Sequence, residues 1–296
     1  MKLINQKSEY WPQKDLYRQI ERCARVCYKS EDKITEDSAK RMVDRLIQSR
    51  HLAMLEHGTV YLKREVDMGD SKYNIFETFF EQDPYSRVNY DAAECYVTTN
   101  LRVIVENCLH EYMEYQCEPT KFHDRRYTMF LTTSIGIVRE LLRHRKFSFA
   151  NESTRFCNYS KDRFNDEIVC IKPSWIDLNT GKYELTFNSG SELIVAGDGY
   201  LKMGYDDNVE NLFLQSLLTA EKSYMEMITT KGFAPQQARE VLPLATKSDI
   251  VMTGFKEDWK HFFNLRLYGN TGAPHPDMKV LAQLIKDEFI KNNIDV

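Results

Sequence analysis

The sequence has no run of eighteen apolar residues, so it offers no segment suited to cross a bilayer as a helix. Its first residues, MKLINQKSEYWPQ, lack both a continuous apolar stretch and a small-residue cleavage site, which excludes a secretory signal there. No C-x-x-C pair occurs among the seven cysteines (Cys23, Cys27, Cys95, Cys108, Cys117, Cys157, Cys170), and the seven histidines are scattered. A structural zinc site is therefore not expected, and no metal is assigned. An odd cysteine count without framework spacing points to reduced thiols in a cytoplasmic protein. There is no internal repeat, low-complexity tract or Pro/Ser-rich linker, which favours one domain over residues 1–296. An excess of charge of one sign is also missing. Lys and Arg number 40 against 44 Asp and Glu, a net charge of −4, so nothing electrostatic favours a nucleic-acid polymer as partner.

What is present is 42% hydrophobic and 28% charged residues in a chain long enough for one large core or two modest ones. Leu16, Ile20, Cys23, Ala24 and Cys27 recur at helical spacing. Thr35 reads as the N-cap of a second helix, with Ala39, Met42, Val43, Leu46 and Ile47 on its apolar face and His51 after it. Residues 58–66 and 95–99 read as strands, the latter leading into a helix from about Asn100 to Glu114. Arg126 to Thr133 alternates, with Tyr127, Met129 and Leu131 on one face. Ser134 then caps a helix bearing Ile135, Val138, Leu141 and Leu142. Residues 158–208 are the least regular part. Trp175 to Phe187 is expected to form a hairpin about Asn179-Thr180-Gly181, and 188–208 loops or edge strands. A helix follows from about Val209 to Lys231, ended by Gly232, and Pro235 opens a short one ending near Leu242. Asp258–Leu267 and Met278–Ile290 are amphipathic. Strands that do not alternate regularly with helices predict an α+β fold, with a mainly antiparallel central sheet and surrounding helices.

The chemistry is concentrated in Arg143-His144-Arg145-Lys146-Phe147-Ser148-Phe149-Ala150-Asn151-Glu152-Ser153-Thr154-Arg155. Four fixed cations, a histidine and several hydroxyl and amide groups within thirteen residues suit an anion, because arginine forks bind phosphate oxygens bidentately. Cations at a helix C-terminus can also simply complement its dipole and pair with surface carboxylates. For a lone Arg-x-Arg that would be explanation enough.

Here the spacing is fuller. Arg-His-Arg followed after seven residues by Ser (Arg143, His144, Arg145, Ser153) resembles the signature of the flavin-dependent thymidylate synthases, the thymidylate synthase-complementing proteins. Arg126-Tyr127-Thr128 before it and Glu152-Ser153-Thr154-Arg155-Phe156-Cys157-Asn158-Tyr159-Ser160-Lys161 extend the likeness. So do His51 with Leu55-Glu56-His57, Ala238-Arg239-Glu240-Val241-Leu242-Pro243, and Trp259-Lys260-His261-Phe262-Phe263-Asn264-Leu265-Arg266. The resemblance spans about residues 50 to 290 and is weak around 165–230, so a less typical insertion is expected near 165–208.

The resemblance implies methylation of dUMP to dTMP with FAD, 5,10-methylenetetrahydrofolate and NADPH, and a homotetramer with sites between subunits. His51, Arg143, His144, Arg145, Asn151 and His261 would contact FAD. Arg143, Asn151, Glu152, Ser153, Thr154, Arg155, Arg239 and Arg266 would bind dUMP, with Arg266 catalytic through the uracil ring. No cysteine would attack that ring. None of the eight prolines precedes a Cys, the setting of the thiolate-dependent route, and no Gly-x-Gly-x-x-Gly turn offers a Rossmann site for FAD. Gln236, Ala53, Asn151 and Phe156 depart from residues frequent in the family. Two other readings remain: a phosphate-binding module for nucleic acid built on Arg143, Arg145, Lys146 and Arg155, and a member that binds its ligands without turnover, for which Gln236 is the hint.

Overall fold

The computed structural model describes residues 1–66, 71–188, 191–196, 199–200 and 208–296. Its first part comprises β1 (Lys2–Ile4), β2 (Lys7–Tyr10), α1 (Leu16–Val26), α2 (Ser38–Gln48), β3 (Thr59–Glu65), α3 (Ser71–Gln82), β4 (Arg87–Asp91), β5 (Glu94–Asn100) and α4 (Leu101–Glu106). Then come β6 (Arg126–Ser134), α5 (Ile135–Leu141), β7 (Ser148–Asn151), β8 (Val169–Ile171), β9 (Gly181–Asn188), β10 (Ser191–Ala196) and β11 (Gly199–Tyr200). The last part holds α6 (Val209–Thr229), α7 (Pro235–Ala238), β12 (Lys247–Phe255), α8 (Lys256–Arg266) and α9 (Pro276–Lys291). Among the described residues, no helix is long and apolar enough to cross a membrane.

Among the described residues the strands form three sheets, and all pairings but β1 with β8 are antiparallel. The sheet that positions the candidate site has the order β2-β6-β12-β7. Side chains on a strand alternate between faces. Met129, Leu131, Ile250 and Met252 therefore share one face with Trp259, Phe262 and Phe263 of α8 and with Met278, Leu281, Ile285 and Phe289 of α9. Phe130, Ala150 and Val251 turn to the opposite face, against Trp11 and the Cys23 and Val26 side of α1. A sheet of order β3-β5-β4 packs with Phe76 and Phe80 of α3 and Leu101 and Ile104 of α4. The third, β11-β10-β9-β1-β8, places Leu3 and Cys170 in one cluster with Leu214, Leu217 and Leu218 of α6.

Local chemistry explains the element ends. Asp15 accepts the Arg18 amide at 2.8 Å to start α1, and Ser134 accepts the Ile137 amide at 3.2 Å to start α5. Thr35 does not cap α2. Its own amide donates to Ser38 Oγ at 2.8 Å, so Thr35 belongs to a turn and the helix begins at Ser38. The expected helix to Glu114 stops at Glu106, because Asn107 turns its side-chain amide back to the Val103 carbonyl and Cys108 is left-handed at φ 56°. A separate 3-10 turn, His110–Tyr115, follows. The hairpin expected over 175–187 is displaced to β9 and β10, with its tip, 189–190, outside the described residues. Strand β1 occupies the start of β9 (Leu3 opposite Gly181), the place a hairpin partner from 175–179 would have taken.

Gly254 of β12 marks the tightest approach near the site. A Cβ there would lie 2.4 Å from the Phe147 ring, which itself packs edge-on against Trp259 at 4.8 Å. Gly254→Ala is expected to cost about 1–3 kcal/mol through overpacking. Denaturant unfolding measures it; unchanged stability would mean that the Phe147 ring can move aside freely.

Candidate active site

Helix α5 ends at Leu141, and the turn after it carries Arg143, His144 and Arg145 to the edge of the sheet. His144 is 9% exposed and packs edge-on against Phe262 of α8 at 5.1 Å. The last turns of α8 bring His261 and Arg266 to the same place. With Arg87, Arg143, Arg145 and Lys146 they line a cavity of about 560 Å³. Arg266 donates from Nε to His144 Nε2 at 2.9 Å and pairs through Nη1 with Glu140 at 2.9 Å. Burial, then the charges of Arg266 and His261, push the His144 imidazole down to about 4. The ring is thus neutral at neutral pH, with Nε2 accepting and the proton on Nδ1.

Strand β7 carries the chain from this cavity to the segment beginning at Asn151, about 13 Å further at ~3.3 Å per residue. Asn151 accepts from Ser248 Oγ at 2.9 Å. Ser153 donates its amide to the Cys27 carbonyl at 3.0 Å. Arg239, from the 3-10 turn Arg239–Val241, reaches Thr154 Oγ1 at 3.5 Å. Arg155 is exposed and lies over the Phe156 ring at 5.2 Å. Glu152 differs from its neighbours. It is 2% exposed, and its carboxylate accepts Lys247 Nζ at 2.7 Å and the Asp249 amide at 3.1 Å.

His51 lies elsewhere, in a cleft of about 490 Å³ lined also by Cys27, Tyr28, Met42, Leu46 and Arg102. Tyr28 of that cleft packs against Phe156 at 5.1 Å, so the cleft and the Ser153 segment adjoin through the end of α1. All seven cysteines are free. Cys27, the one whose carbonyl holds Ser153, has its thiol pushed up to about 11 by burial.

The fold thus gathers the sequence-selected residues into three patches. Arg143, His144, Arg145, His261 and Arg266 meet in the basic cavity. Asn151 to Arg155 and Arg239 form the second patch, and His51 belongs to the cleft beyond it. Sequence reasoning missed Glu140, which orients Arg266, as well as Arg87, Lys29, Lys247 and Asp249. Glu140 stands one helical turn before His144, so helical periodicity offered a signal for it, whereas Lys247 and Asp249 lie on a strand without clean alternation.

Comparison with known proteins gives a family match. The thymidylate synthase complementing protein model matches residues 86–292. A probable flavin-dependent thymidylate synthase of Paramecium bursaria Chlorella virus 1 is 31% identical over 164 residues, covering 55% of this chain and 66% of that one. The flavin-dependent thymidylate synthase of Synechocystis is 27% identical over 161 residues, covering 53% and 64%. The chain thus spans just under two thirds of the length of these relatives. Among solved structures, the UMP/dUMP methylase PolB from Streptomyces cacaoi bound with 5-Br dUMP aligns at a TM-score of 0.44 and 18% identity, covering 98% of this chain and 93% of that one. Thymidylate synthase X from Helicobacter pylori with FAD and dUMP aligns at 0.39 and 15%, covering 96% and 92%. With its family model matched from strand β4 to the end of α9, the chain belongs to the thymidylate synthase complementing protein family.

Proposed function

We propose that this chain is a flavin-dependent thymidylate synthase of the cytoplasm, methylating dUMP to dTMP with FAD, 5,10-methylenetetrahydrofolate and NADPH. The observation that carries the reading is the convergence of Arg143, His144 and Arg145 with His261 and Arg266 on one basic cavity. The donor set fits an anionic dinucleotide. Arg143 and Arg145 are exposed at the cavity and form no ion pair with a described carboxylate, leaving their forks for phosphate oxygens. FAD, when bound, supplies the methylene and hydride transfer that amino-acid side chains cannot.

The protein's own task is to bind, orient and polarise. Arg155, Arg239 and the Ser153–Thr154 hydroxyls make a second anion-binding patch suited to a nucleotide phosphate, with Asn151 beside it. Arg266 has five N–H donors. Three are engaged by His144, the Glu140 carboxylate and the Glu140 carbonyl, which fixes the guanidinium plane and leaves two to meet a uracil oxygen or nitrogen. Donors already oriented toward developing negative charge stabilise it without reorganisation, which is what uracil C5 needs to act as a nucleophile. Burial holds the thiols of Cys23, Cys27, Cys95 and Cys170 protonated, which supports a route without an enzyme thiolate. Because the basic cavity and the Ser153 patch lie at opposite ends of β7, a complete site drawing on more than one copy is reasonable, and we propose a homotetramer whose single-domain protomer spans 1–296 with an insertion near 165–208.

Conversion of dUMP to dTMP, with each co-substrate omitted in turn, tests the function; no product with everything present would end the proposal. Arg239→Ala is expected to weaken dUMP binding by about 2–5 kcal/mol, as for loss of a charged partner in a desolvated contact. Calorimetry giving wild-type affinity would remove Arg239 from the site. Arg266→Lys should bind dUMP nearly as well but turn over about 10²–10³ slower, by analogy with loss of one oriented donor. Single-turnover rates equal to wild type would refute that role. Each single Cys→Ala variant should still form dTMP.

The neutral state of His144 gives a pH prediction. Its folded-state value of about 4 lies below the ordinary 6.5, so the unfolded chain binds more protons between the two. The stability it contributes is complete above about pH 6.5 and is lost as pH falls toward 4. His57, held to about 3 by burial and then by Arg126, acts in the same direction. NMR titration of the rings is the measurement; a His144 midpoint near 6.5 would show that the Arg266 contact does not hold the ring neutral.

A further inference from the structure

Glu152 stands within the segment read as the nucleotide site, yet its carboxylate does not face a ligand. It is enclosed by Lys247 Nζ at 2.7 Å, the Asp249 amide at 3.1 Å and the Tyr159 hydroxyl at 3.3 Å. Lys247 Nζ also donates to Asp249 Oδ2 at 2.9 Å, and Thr132 Oγ1 donates to Asp249 Oδ1 at 2.7 Å. Lys29 closes the group with a short contact to Asp249 Oδ2. Two ammonium groups and two carboxylates thus form a quartet, three of its members less than a sixth exposed, with the more exposed Glu31 3.7 Å from Lys29 Nζ at its outer edge.

The quartet joins three elements. Lys247 and Asp249 lie on β12, and Glu152 follows β7, whose ladder with β12 ends as the Glu152 amide donates to the Asp249 carbonyl at 2.8 Å. Lys29 comes from just beyond α1, in a left-handed conformation at φ 49° that turns the chain after Cys27. The Cys27 carbonyl holds the Ser153 amide, so the end of α1 grips the segment once through backbone and once through the ammonium. Directly after Glu152 the chain turns, with the Phe156 and Cys157 amides both donating to the Ser153 carbonyl at 3.1 and 2.9 Å. The stretch from Ser153 to Arg155 therefore projects from a point fixed by four charges. A buried ion group of this kind adds little net stability against an apolar alternative, but breaking one partner leaves an uncompensated buried charge. Its clearer effect is geometric.

Resting on the functional reading above, we propose that Lys29, Lys247 and Asp249 are positioning residues for the nucleotide site, acting through Glu152, which anchors the Ser153–Arg155 turn instead of touching the nucleotide. The basic cavity of Arg143, His144 and Arg145 shares no member with the quartet, so FAD binding is the internal control.

The test compares dUMP affinity by calorimetry, FAD retention, and amide hydrogen exchange at 152–157 in the full chain. Glu152→Gln and Lys247→Met should raise the dUMP dissociation constant by about tenfold or more. Protection at 152–157 should fall and FAD retention should stay as in wild type. Lys247→Arg, which keeps the charge, should restore most of the affinity. Lys29→Met, at the more exposed edge of the group, should give a smaller rise and provides the decisive variant if the inner ones do not fold. Variants that lose thermal stability but bind dUMP as tightly as wild type would overturn the assignment alone, leaving the quartet a structural feature. A wild-type chain that retains FAD but binds no dUMP would overturn the functional reading, and the assignment with it.

Discussion

Strand β12 lies between β6 and β7, paired with β6 along all nine of its residues, and both of its faces are covered. Nearly every other feature of the site depends on that position. The face bearing Ile250 and Met252 receives α8 and α9, and so fixes where the last turn of α8 presents Arg266. Val251, on the opposite face, receives α1, whose end holds the Ser153 turn. A strand enclosed on both faces cannot leave its polar groups to water, so each must find a partner inside. Asp249 finds Lys247, Lys29 and Thr132, and Thr253 finds His57 Nδ1 and Thr128 Oγ1, both at 2.8 Å.

Two different electrostatic solutions result at the two ends of β7. In the basic cavity the cations outnumber nearby carboxylates, and the imbalance is met in part by keeping His144 uncharged. At the Ser153 turn Lys29 and Lys247 are met by carboxylates of the protein, and Arg155 and Arg239 stand outside that group. The first arrangement leaves an unmet demand for anions; the second spends its charges on geometry.

The sequence was most informative where one face of an element is wet. Helix α1, the α5 cap at Ser134 and helix α6 all appear within a few residues of where periodicity and capping place them. Strand β12 was illegible, because Lys247-Ser248-Asp249-Ile250-Val251-Met252-Thr253-Gly254-Phe255 has polar residues that are nevertheless buried and so shows no clean alternation. Of the candidate site, the arginine and histidine positions were selected through the family resemblance, and the structure brings five of them to one cavity. Glu152 shows the limit of that reading. Its place in the motif suggested a ligand contact, and only the three-dimensional pairing with Lys247 shows that its carboxylate is turned inward.

The pairing of residues 126–134 with 247–255 also constrains how the chain can be made. Contacts between segments so distant in sequence slow folding, because the intervening loop must close before they form. During synthesis β6 emerges early and waits, with Met129 and Leu131 uncovered, until β12 and the helices after it leave the ribosome. The nascent chain is therefore most exposed to misassociation during that interval, and a stop anywhere before Lys247 leaves it without the strand around which both halves of the candidate site are organised.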